Sequence, residues 1–257
     1  MAWKGRVPCH MCVIAFHWQP DGPVPLIVAA NRDEFYDRPT APLAWWEGGR
    51  ILAGQDLWSG GTWMGVSRDG RFAAITNFRD PARSRKDAPS RGFIPLRFLE
   101  EGGSAPDFLR WLRKEASRYA PFNVLVYDGV ELLGYESRHD RGPSLAQGIH
   151  AVSNGDFDEP WPKVEALKVG LAMSEGDDGA LLALLGDGQP FADDRLPSTG
   201  VSSEWERALS PAFVRTPTYG TRASTILRLG LKRVSMLEQR FNAGDPEGLN
   251  EFQFLTG

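Results

Sequence analysis

The sequence predicts an α+β fold in which sheets and helices form stacked layers. Strand-like and helix-like segments occur in separate groups: strands first, then helices, then strands, helices and strands again. Such segregation favours stacked layers over a doubly wound parallel sheet, in which strands and helices alternate strictly. The length of 257 residues and the hydrophobic content of 42% suit a single large domain with a packed core.

The first elements of the chain are predicted to form a β-hairpin. Two apolar runs, 12–18 and 24–30, flank a turn-like Pro-Asp-Gly-Pro sequence. The polar segment 31–39 is expected to leave the sheet as a loop. Because a hairpin returns the chain to its starting point, Arg32 and Asp33 should lie beside the beginning of the first strand.

Apolar runs bounded by turn residues predict further strands, and apolar residues at helical spacing predict the helices. Phe108, Leu112 and Ala116, for example, form one apolar stripe. The remaining predicted strands are 51–54, 62–67, 72–77, 122–128, 131–136, 149–153, 222–229, 234–241 and 251–255. The predicted helices are 93–101, 107–119, 160 to about 173, 180–185 and part of 201–213. Residues 186–200 are rich in Gly, Asp and Pro, which predicts a long surface loop.

Composition and charge exclude several classes of partner. The net charge of -4 and the isoelectric point near 5.7 provide no basic field, so nucleic acid is not expected as a partner. No apolar run approaches the roughly 20 residues of a membrane-spanning helix. The apolar stretch near the N-terminus is too short for a secretory signal, so we expect a cytoplasmic protein. The oligomeric state is not indicated.

The chain has two cysteines, Cys9 and Cys12, which exclude a disulfide framework. Their spacing suits half of a zinc site, but no second pair of cysteines and no His-x-x-x-His sequence completes four ligands. Residue 13 is valine rather than histidine, which argues against covalent haem attachment. We therefore expect no metal site and no required cofactor.

The dipeptide Met11-Cys12, at the start of the first predicted strand, suggests a nucleophile that becomes the first residue of a mature chain. A cysteine attacks as the thiolate and needs a base to take its proton. The α-amino group of a terminal Cys12 has an ordinary pKa of about 7.7 to 8.0, which suits that task. We therefore expect residues 1–11 to be an extension and residues 12–257 to be the domain.

Four short motifs occur in order along the chain: Asn31-Arg32-Asp33-Glu34, Thr76-Asn77-Phe78-Arg79, Ser153-Asn154-Gly155 with Pro160-Trp161-Pro162-Lys163, and Tyr219-Gly220-Thr221-Arg222. Together they resemble the NRDE family, the transport-and-Golgi-organisation proteins, and the resemblance covers Met11 to the C-terminus. It implies a fold similar to the N-terminal nucleophile hydrolases, a four-layer α-β-β-α sandwich, especially the group of penicillin V acylase and bile salt hydrolase.

The resemblance implies catalytic roles around Cys12. Asp33 would bind the α-amino group, and Arg32 would lie beside the thiolate or the substrate carbonyl, where a guanidinium favours ionised sulfur. In the bile salt hydrolase group the arginine and the aspartate are separated, whereas here they are adjacent. Adjacent strand residues point to opposite faces, so only one of them can face Cys12 unless the loop breaks the pleat.

The resemblance also implies two candidates for the oxyanion hole and a second arginine. Asn77 and Asn154 match positions that could hold a tetrahedral oxyanion, and such a donor is typically worth ~3 to 4 kcal/mol. Arg222 matches the second active-site arginine. The competing interpretation is structural: the two asparagines would be turn residues, Cys12 a small buried hydrophobe, and the segment from Asn31 to Arg38 a surface ion-pair loop.

The candidate substrate-binding residues are Asn31, Glu34, Trp58, Trp63 and Arg79. The last of these opens a basic stretch that could meet a phosphate-bearing ligand such as coenzyme A. The tryptophans belong to a group that also includes Trp45 and Trp46. This group either walls an apolar pocket or packs in the core.

Two functions follow. The first is a cysteine amide or thioester hydrolase or acyltransferase that acts on a small molecule through an acyl-Cys12 intermediate. The alternative is a non-catalytic carrier or chaperone that binds haem or acyl-coenzyme A, with Cys12, His17 or His150 as possible haem ligands. A papain-like arrangement with His150 as base lacks the sequence signature of that family.

Overall fold

A computed structural model of the chain describes residues 11–83 and 87–256, with the backbone alone for Met11. Several expectations from the sequence lie outside these residues. They are the N-terminal extension, the spacing of Cys9 to Cys12, and the part of the basic stretch at Arg85 and Lys86.

In the described part of the chain, twelve strands form two antiparallel sheets of six strands each. The first sheet has the spatial order β12-β11-β10-β2-β1-β9 and the second the sequential order β3-β4-β5-β6-β7-β8. The strands are β1 Met11–Trp18, β2 Leu26–Phe35, β3 Thr40–Trp45, β4 Ile51–Asp56, β5 Met64–Ser67, β6 Phe72–Asn77, β7 Phe122–Tyr127, β8 Leu132–Glu136, β9 Gly148–Val152, β10 Tyr219–Leu229, β11 Arg233–Asn242 and β12 Asp245–Leu255.

The helices cover the outer faces of the two sheets. Helices α1 and α2 pack on the second sheet, whereas α3 and α4 pack on the first. The α-helices are α1 Phe93–Glu101, α2 Ala105–Glu115, α3 Pro162–Met173, α4 Asp178–Leu185 and α5 Ser203–Ala208. Short 3-10 turns lie at Pro81–Arg83, Ala116–Arg118 and Asp193–Arg195. The layers are therefore α-β-β-α, and the predicted four-layer sandwich is confirmed.

Three apolar clusters hold the layers together. One fills the space between the two sheets, with Phe16, Leu26 and Phe72 fully buried. Two others lie under the helices on either side, around Phe98 and around Leu167. Burying such side chains stabilises a fold by about 1.5 to 3 kcal/mol each, so the contact between the sheets fixes their relative position.

The helix ends follow the expected local chemistry. Ser104 precedes α2 and accepts a hydrogen bond from the Asp107 N–H, and Asp177 precedes α4 and accepts one from the Ala180 N–H. Each satisfies a backbone donor that a helix N-terminus otherwise leaves unpaired. Helix α3 instead begins with Pro162, whose missing N–H costs nothing at that position.

The structure corrects the prediction that residues 31–39 leave the sheet as a loop. β2 continues to Phe35, because β10 pairs with it on the side opposite β1, from Leu26 to Phe35. The sequence also missed β3, which contains Pro42. A proline suits this place, since β3 is an edge strand and its pairing with β4 shifts register between Ala41 and Ala44.

Among the described residues, no helix has the length and apolar content that crossing a bilayer would require.

Candidate functional site

The pairing of β1 with β2 places Cys12 directly opposite Arg32. Residues at even positions of β1, such as Ile14, belong to the core between the sheets, whereas Val13 packs under the helices. Cys12 and Arg32 therefore point to the side of the second sheet. Asp33 follows in an unbroken pleat and points to the helices, as the alternation of a strand requires.

A cavity of about 260 Å³ opens on this side, with Cys12 in its wall. Five of the predicted site residues line it: Cys12, Arg32, Glu34, Trp63 and Asn77. It also includes Arg91, which belongs to the basic stretch that begins at Arg79, and residues that the sequence did not suggest for a binding site: Arg38, Thr40, Gly54, Gln55, Asp56, Ser59, Thr62, Ile75, Ala88, Pro89, Ser90, Gly92 and Ala120. Many of these side chains are polar or charged.

The guanidinium of Arg32 is held by two partners in the cavity wall. Its Nη1 donates to Thr40 Oγ1 at 3.3 Å, and its Nη2 lies 3.5 Å from Glu34 Oε2. Glu34 is itself positioned by the Phe35 N–H, which donates to its other oxygen at 2.8 Å. Arg32 is thus fixed on the same sheet face as the thiol.

Arg38 joins the two sheets at the rim of the cavity. Its Nε donates to Asp56 Oδ2 at 2.7 Å, and its Nη2 donates to Ser59 Oγ at 3.0 Å. The exposed indole of Trp58 lies beside it, with the ring centroid 5.2 Å from the guanidinium carbon. From the sequence, Arg38 was expected only in a surface ion pair. Its partner Asp56 lies on β4 of the second sheet, and a pairing between sheets is not visible in the sequence.

The thiol of Cys12 is 6% exposed. Burial raises its pKa to about 12, and the negative charge of Asp33 adds to the rise. The guanidinium of Arg32 and a hydrogen bond from the Asp33 backbone N–H oppose it. With a peptide bond at its nitrogen, Cys12 is therefore a protonated thiol at neutral pH.

Asp33 lies on the other face of the sheet, opposite Met11 in the β1–β2 ladder. Its Oδ1 accepts a hydrogen bond of 2.7 Å from the Thr221 hydroxyl, whereas its Oδ2 is buried and has no hydrogen-bond partner among the described residues. Burial raises the pKa of this carboxyl, while Lys163, Thr221 and Arg32 oppose the rise. A buried carboxylate with an unused oxygen thus lies at the level of the Met11–Cys12 peptide.

Lys163, on α3, is a buried cation behind this carboxylate. Its Nζ donates to the Leu209 carbonyl at 3.0 Å. Burial and the nearby charge of Arg79 lower its pKa, whereas Asp33 and Cys12 raise it. The motif that contains Lys163 was recognised in the sequence, but nothing in its spacing showed that α3 brings the side chain to Asp33.

Asn77 and Asn154 are neighbours at the ends of two strands from different sheets. The side-chain amide of Asn154 donates to the Asn77 carbonyl at 2.8 Å, and the Asn154 carbonyl accepts from the Arg79 N–H at 2.7 Å. The adjacent Ser153 hydroxyl donates to the Cys12 carbonyl at 3.1 Å. Asn77 lines the cavity, whereas Asn154 is fully buried behind it.

Three other predicted residues bind elsewhere. Asn31 points to the helices, where its amide donates to the carbonyls of Leu185 and Ala212 at 2.8 Å each. Arg79 forms a buried ion pair of 2.5 Å with Glu206. Arg222 lies at a register shift of β10 and donates to the carbonyls of Phe35, Tyr36 and Arg38 at 3.0, 3.2 and 3.2 Å.

The tryptophans do not form one wall. Trp63 lines the cavity, while Trp58 is 59% exposed at its rim. Trp45 packs edge-on against Phe254 with ring centroids 4.9 Å apart, and Trp46 packs with the cluster under α1 and α2. Core and surface packing therefore account for the latter two.

His150, considered in the sequence as a base or a haem ligand, lies on β9 outside the cavity lining. Its Nδ1 is 2.6 Å from Asp158 Oδ2 and its Nε2 is 2.8 Å from the Ala146 carbonyl. Within the described part of the chain, no group of three or more His, Cys, Asp or Glu residues is arranged to hold a metal ion.

A family model and individual relatives identify the same protein family for this chain. The family described as Transport and Golgi organisation 2 matches residues 11–243. The Transport and Golgi organization protein 2 homolog of Bos taurus is 31% identical over 268 residues, covering 92% of this chain and 95% of the relative. The Homo sapiens homolog is 31% identical over 247 residues, covering 84% of this chain and 88% of the relative.

Among solved structures, the Caenorhabditis elegans ortholog of N-acylethanolamine-hydrolyzing acid amidase is similar, with a TM-score of 0.53 at 11% identity. The match covers 86% of this chain and 94% of that one. At this identity the likeness concerns the fold alone. The fold is that of the N-terminal nucleophile hydrolases.

Proposed function

The chain belongs to the Transport and Golgi organisation 2 family, and we propose that it is a cysteine hydrolase or acyltransferase acting on an amide or thioester of a small molecule. One observation carries the proposal. Cys12 shares a cavity with Arg32, while the unused oxygen of Asp33 lies at the level of the peptide bond that precedes Cys12. Cleavage of that bond would place an α-amino group beside both a thiol and a carboxylate.

The proposed reaction begins with proton transfer from Cys12 Sγ to its own α-amino nitrogen. The thiolate then bonds to the substrate carbonyl carbon. When the tetrahedral intermediate collapses, the bond from that carbon to the leaving nitrogen or sulfur breaks, and the ammonium returns its proton to the leaving group. Water, or an acceptor in acyl transfer, attacks the resulting acyl-Cys12 thioester and restores the free thiol.

Arg32 and Asp33 would act from opposite faces of the sheet, Arg32 on the thiol and Asp33 on the freed amine. Arg32, on the cavity side, favours the thiolate, since its charge opposes the burial that raises the thiol pKa. Asp33, on the helix side, offers Oδ2 as the acceptor for an N–H of the freed amine. The adjacency of the two residues is therefore compatible with both of the roles that the family resemblance implies.

For the oxyanion we assign Asn77, which lines the cavity. Asn154 would act through it, because its amide is already bonded to the Asn77 carbonyl. Arg222 would hold the turn after β2 through three carbonyls rather than meet the substrate. Glu34 and Trp63 are the proposed substrate contacts, with Trp58 at the rim.

The second candidate is a carrier of haem or acyl-coenzyme A, and one observation favours it. In a chain with residues preceding Cys12, the thiol pKa is raised to about 12, which suits a ligand-binding or structural sulfur better than a nucleophile. The uncut and the cut chain could thus differ in function. We place either activity in the cytoplasm, where a free thiol such as Cys12 stays reduced.

The experiment is intact-mass analysis of the protein isolated from its native host, followed by incubation with small thioesters and amides. A chain that begins at Cys12 and gains the mass of one acyl group supports the hydrolase. A chain that retains the residues before Cys12 and gains no acyl group contradicts it and leaves the carrier.

A further inference from the structure

The proposed reaction assigns no role to Lys163, a buried cation. Lys163 is 3% exposed and lies on α3, which packs on β1, and the charges that act on it include those of Asp33, Arg79 and Glu206. A lysine is rarely buried unless it is paired, because removing its charge from water is costly. The negative charge of Asp33 offsets part of the cost of burying the Lys163 cation.

The charges of this cluster are balanced, because Arg32 and Glu34, which also act on Asp33, form an ion pair with each other on the cavity side. Arg79 and Glu206 form a direct ion pair of 2.5 Å, which leaves Lys163 and Asp33 as the second cation and the second anion. Lys163 is bonded to the Leu209 carbonyl rather than to Asp33 Oδ2, which has no hydrogen-bond partner within residues 11–83 and 87–256. Its interaction with Asp33 is therefore electrostatic and does not include a direct hydrogen bond to Oδ2.

A chain that begins at Cys12 adds one titratable amine to this balanced cluster. Protonating the amine would leave a net positive charge in a buried site, beside a carboxylate that Lys163 already compensates. We propose that Lys163 is a positioning residue that keeps the freed α-amino group of Cys12 in its neutral, proton-accepting form by sharing Asp33 with it. This inference rests on the proposed function, and it assigns regulation of the base in that reaction.

The sign of the effect follows directly. An amine acts as a base only when it is neutral, so lowering its pKa extends the reaction to lower pH. With Lys163 replaced by a neutral side chain, Asp33 would pair with the ammonium form and raise the pKa of the amine. The group would then be protonated at neutral pH and could not accept the thiol proton.

The test is an NMR titration of the α-nitrogen in protein labelled with 15N-cysteine. The sequence has cysteines only at positions 9 and 12, so a chain that begins at Cys12 gives a single labelled residue. Such a chain loses only Met11 from the described residues. The wild-type amine should titrate at or below the ordinary range of about 7.7 to 8.0.

In K163M we expect the midpoint to rise by about one unit or more, the usual effect of pairing with an opposite charge. K163R keeps the charge and should titrate like the wild type. The matched control is K168M, another lysine of α3, which pairs with Asp158 and Glu165 and should leave the midpoint unchanged.

K163Q is the second neutral variant, since its amide can still donate to the Leu209 carbonyl. If neither neutral variant folds, D33N provides the test. Without the carboxylate charge of Asp33, the ammonium form of the Cys12 amine lies close to the Lys163 cation with no anion to offset it. The midpoint of the amine titration should therefore fall. An unchanged or lower midpoint in a folded neutral variant at position 163, or an unchanged midpoint in D33N, would overturn the inference.

The titration requires no turnover, so its outcome is separable from that of the proposed function. A shifted midpoint in K163M with no acylation of the wild type would keep the role of Lys163 and remove the hydrolase. Acylation of the wild type with an unshifted midpoint in K163M would keep the hydrolase and remove the role of Lys163.

Discussion

Arg32 and Asp33 are consecutive residues of β2, yet their side chains lie on opposite faces of the first sheet. Arg32 shares the cavity with the Cys12 thiol, whereas Asp33 faces Lys163 on the helix side. The backbone N–H of Asp33 also donates to the Cys12 sulfur. A single strand thus brings three separate groups to the thiol and its nitrogen.

Replacing Arg32 with methionine should raise the pKa of the Cys12 thiol, because the guanidinium opposes the effect of burial. In a chain that begins at Cys12, each unit of increase lowers the thiolate fraction about tenfold at a given pH below the pKa. The rate of alkylation by iodoacetamide across pH measures this. R32K, which keeps a cation, should recover part of the rate, and an R32M profile superimposed on the wild type would contradict the assignment.

Two Arg–Glu pairs, one buried and one exposed, should differ in their contribution to stability. Arg79–Glu206 is buried, with 2% and 6% of the side chains exposed, so R79M should cost roughly 3 to 5 kcal/mol by leaving Glu206 uncompensated. Arg97–Glu101 is exposed by 41% and 55%, and R97M should cost less than about 1 kcal/mol. Urea denaturation measures both, and equal losses would refute the distinction.

The local part of the fold was predictable from the sequence. The β1–β2 hairpin follows from two apolar runs and a turn, and its register brings Arg32 opposite Cys12. Helix α2 follows from its apolar stripe. These features depend on residues that are close in sequence, where periodicity and turn chemistry determine the structure.

The contacts that complete the site were not predictable in the same way. Arg79 and Glu206 are 127 positions apart, and Lys163 reaches Asp33 only because α3 packs on the first sheet. Arg79 was expected to contact a ligand, because its distant partner Glu206 could not be identified from the sequence. The length of β2 also depends on β10, a strand almost two hundred residues later. Such pairings are set by packing, which a single sequence does not display.

Stability should depend on pH through His150. Its hydrogen bond to Asp158 raises the histidine pKa above its ordinary value. The resulting stabilisation is fully present below the unfolded pKa of about 6.5 and is lost as pH rises through the raised folded value. In H150Q the free energy of unfolding should therefore change less than in the wild type between about pH 6 and pH 9. A wild type whose stability relative to H150Q increases over that range would contradict this.

The carrier alternative predicts binding that does not need a nucleophile. Haem and a long-chain acyl-coenzyme A should bind wild type and C12S alike if affinity comes from the cavity walls, for example Trp63 and Arg91. Calorimetric or absorbance titration measures this. Haem that binds the wild type but not C12S would identify the sulfur as a ligand, and no binding of either compound at micromolar concentration would remove the carrier.

The central claim is that Cys12 is a nucleophile whose base is its own α-amino group. The most direct measurement is the rate at which a small aryl thioester acylates Cys12, followed by intact mass at neutral pH. It should compare a chain that begins at Cys12 with the chain that retains residues 1–11, and melting curves should show that both are folded. We expect rapid acylation of the first and almost none of the second, whose thiol pKa is about 12. Equal acylation rates in two equally stable chains would contradict the claim.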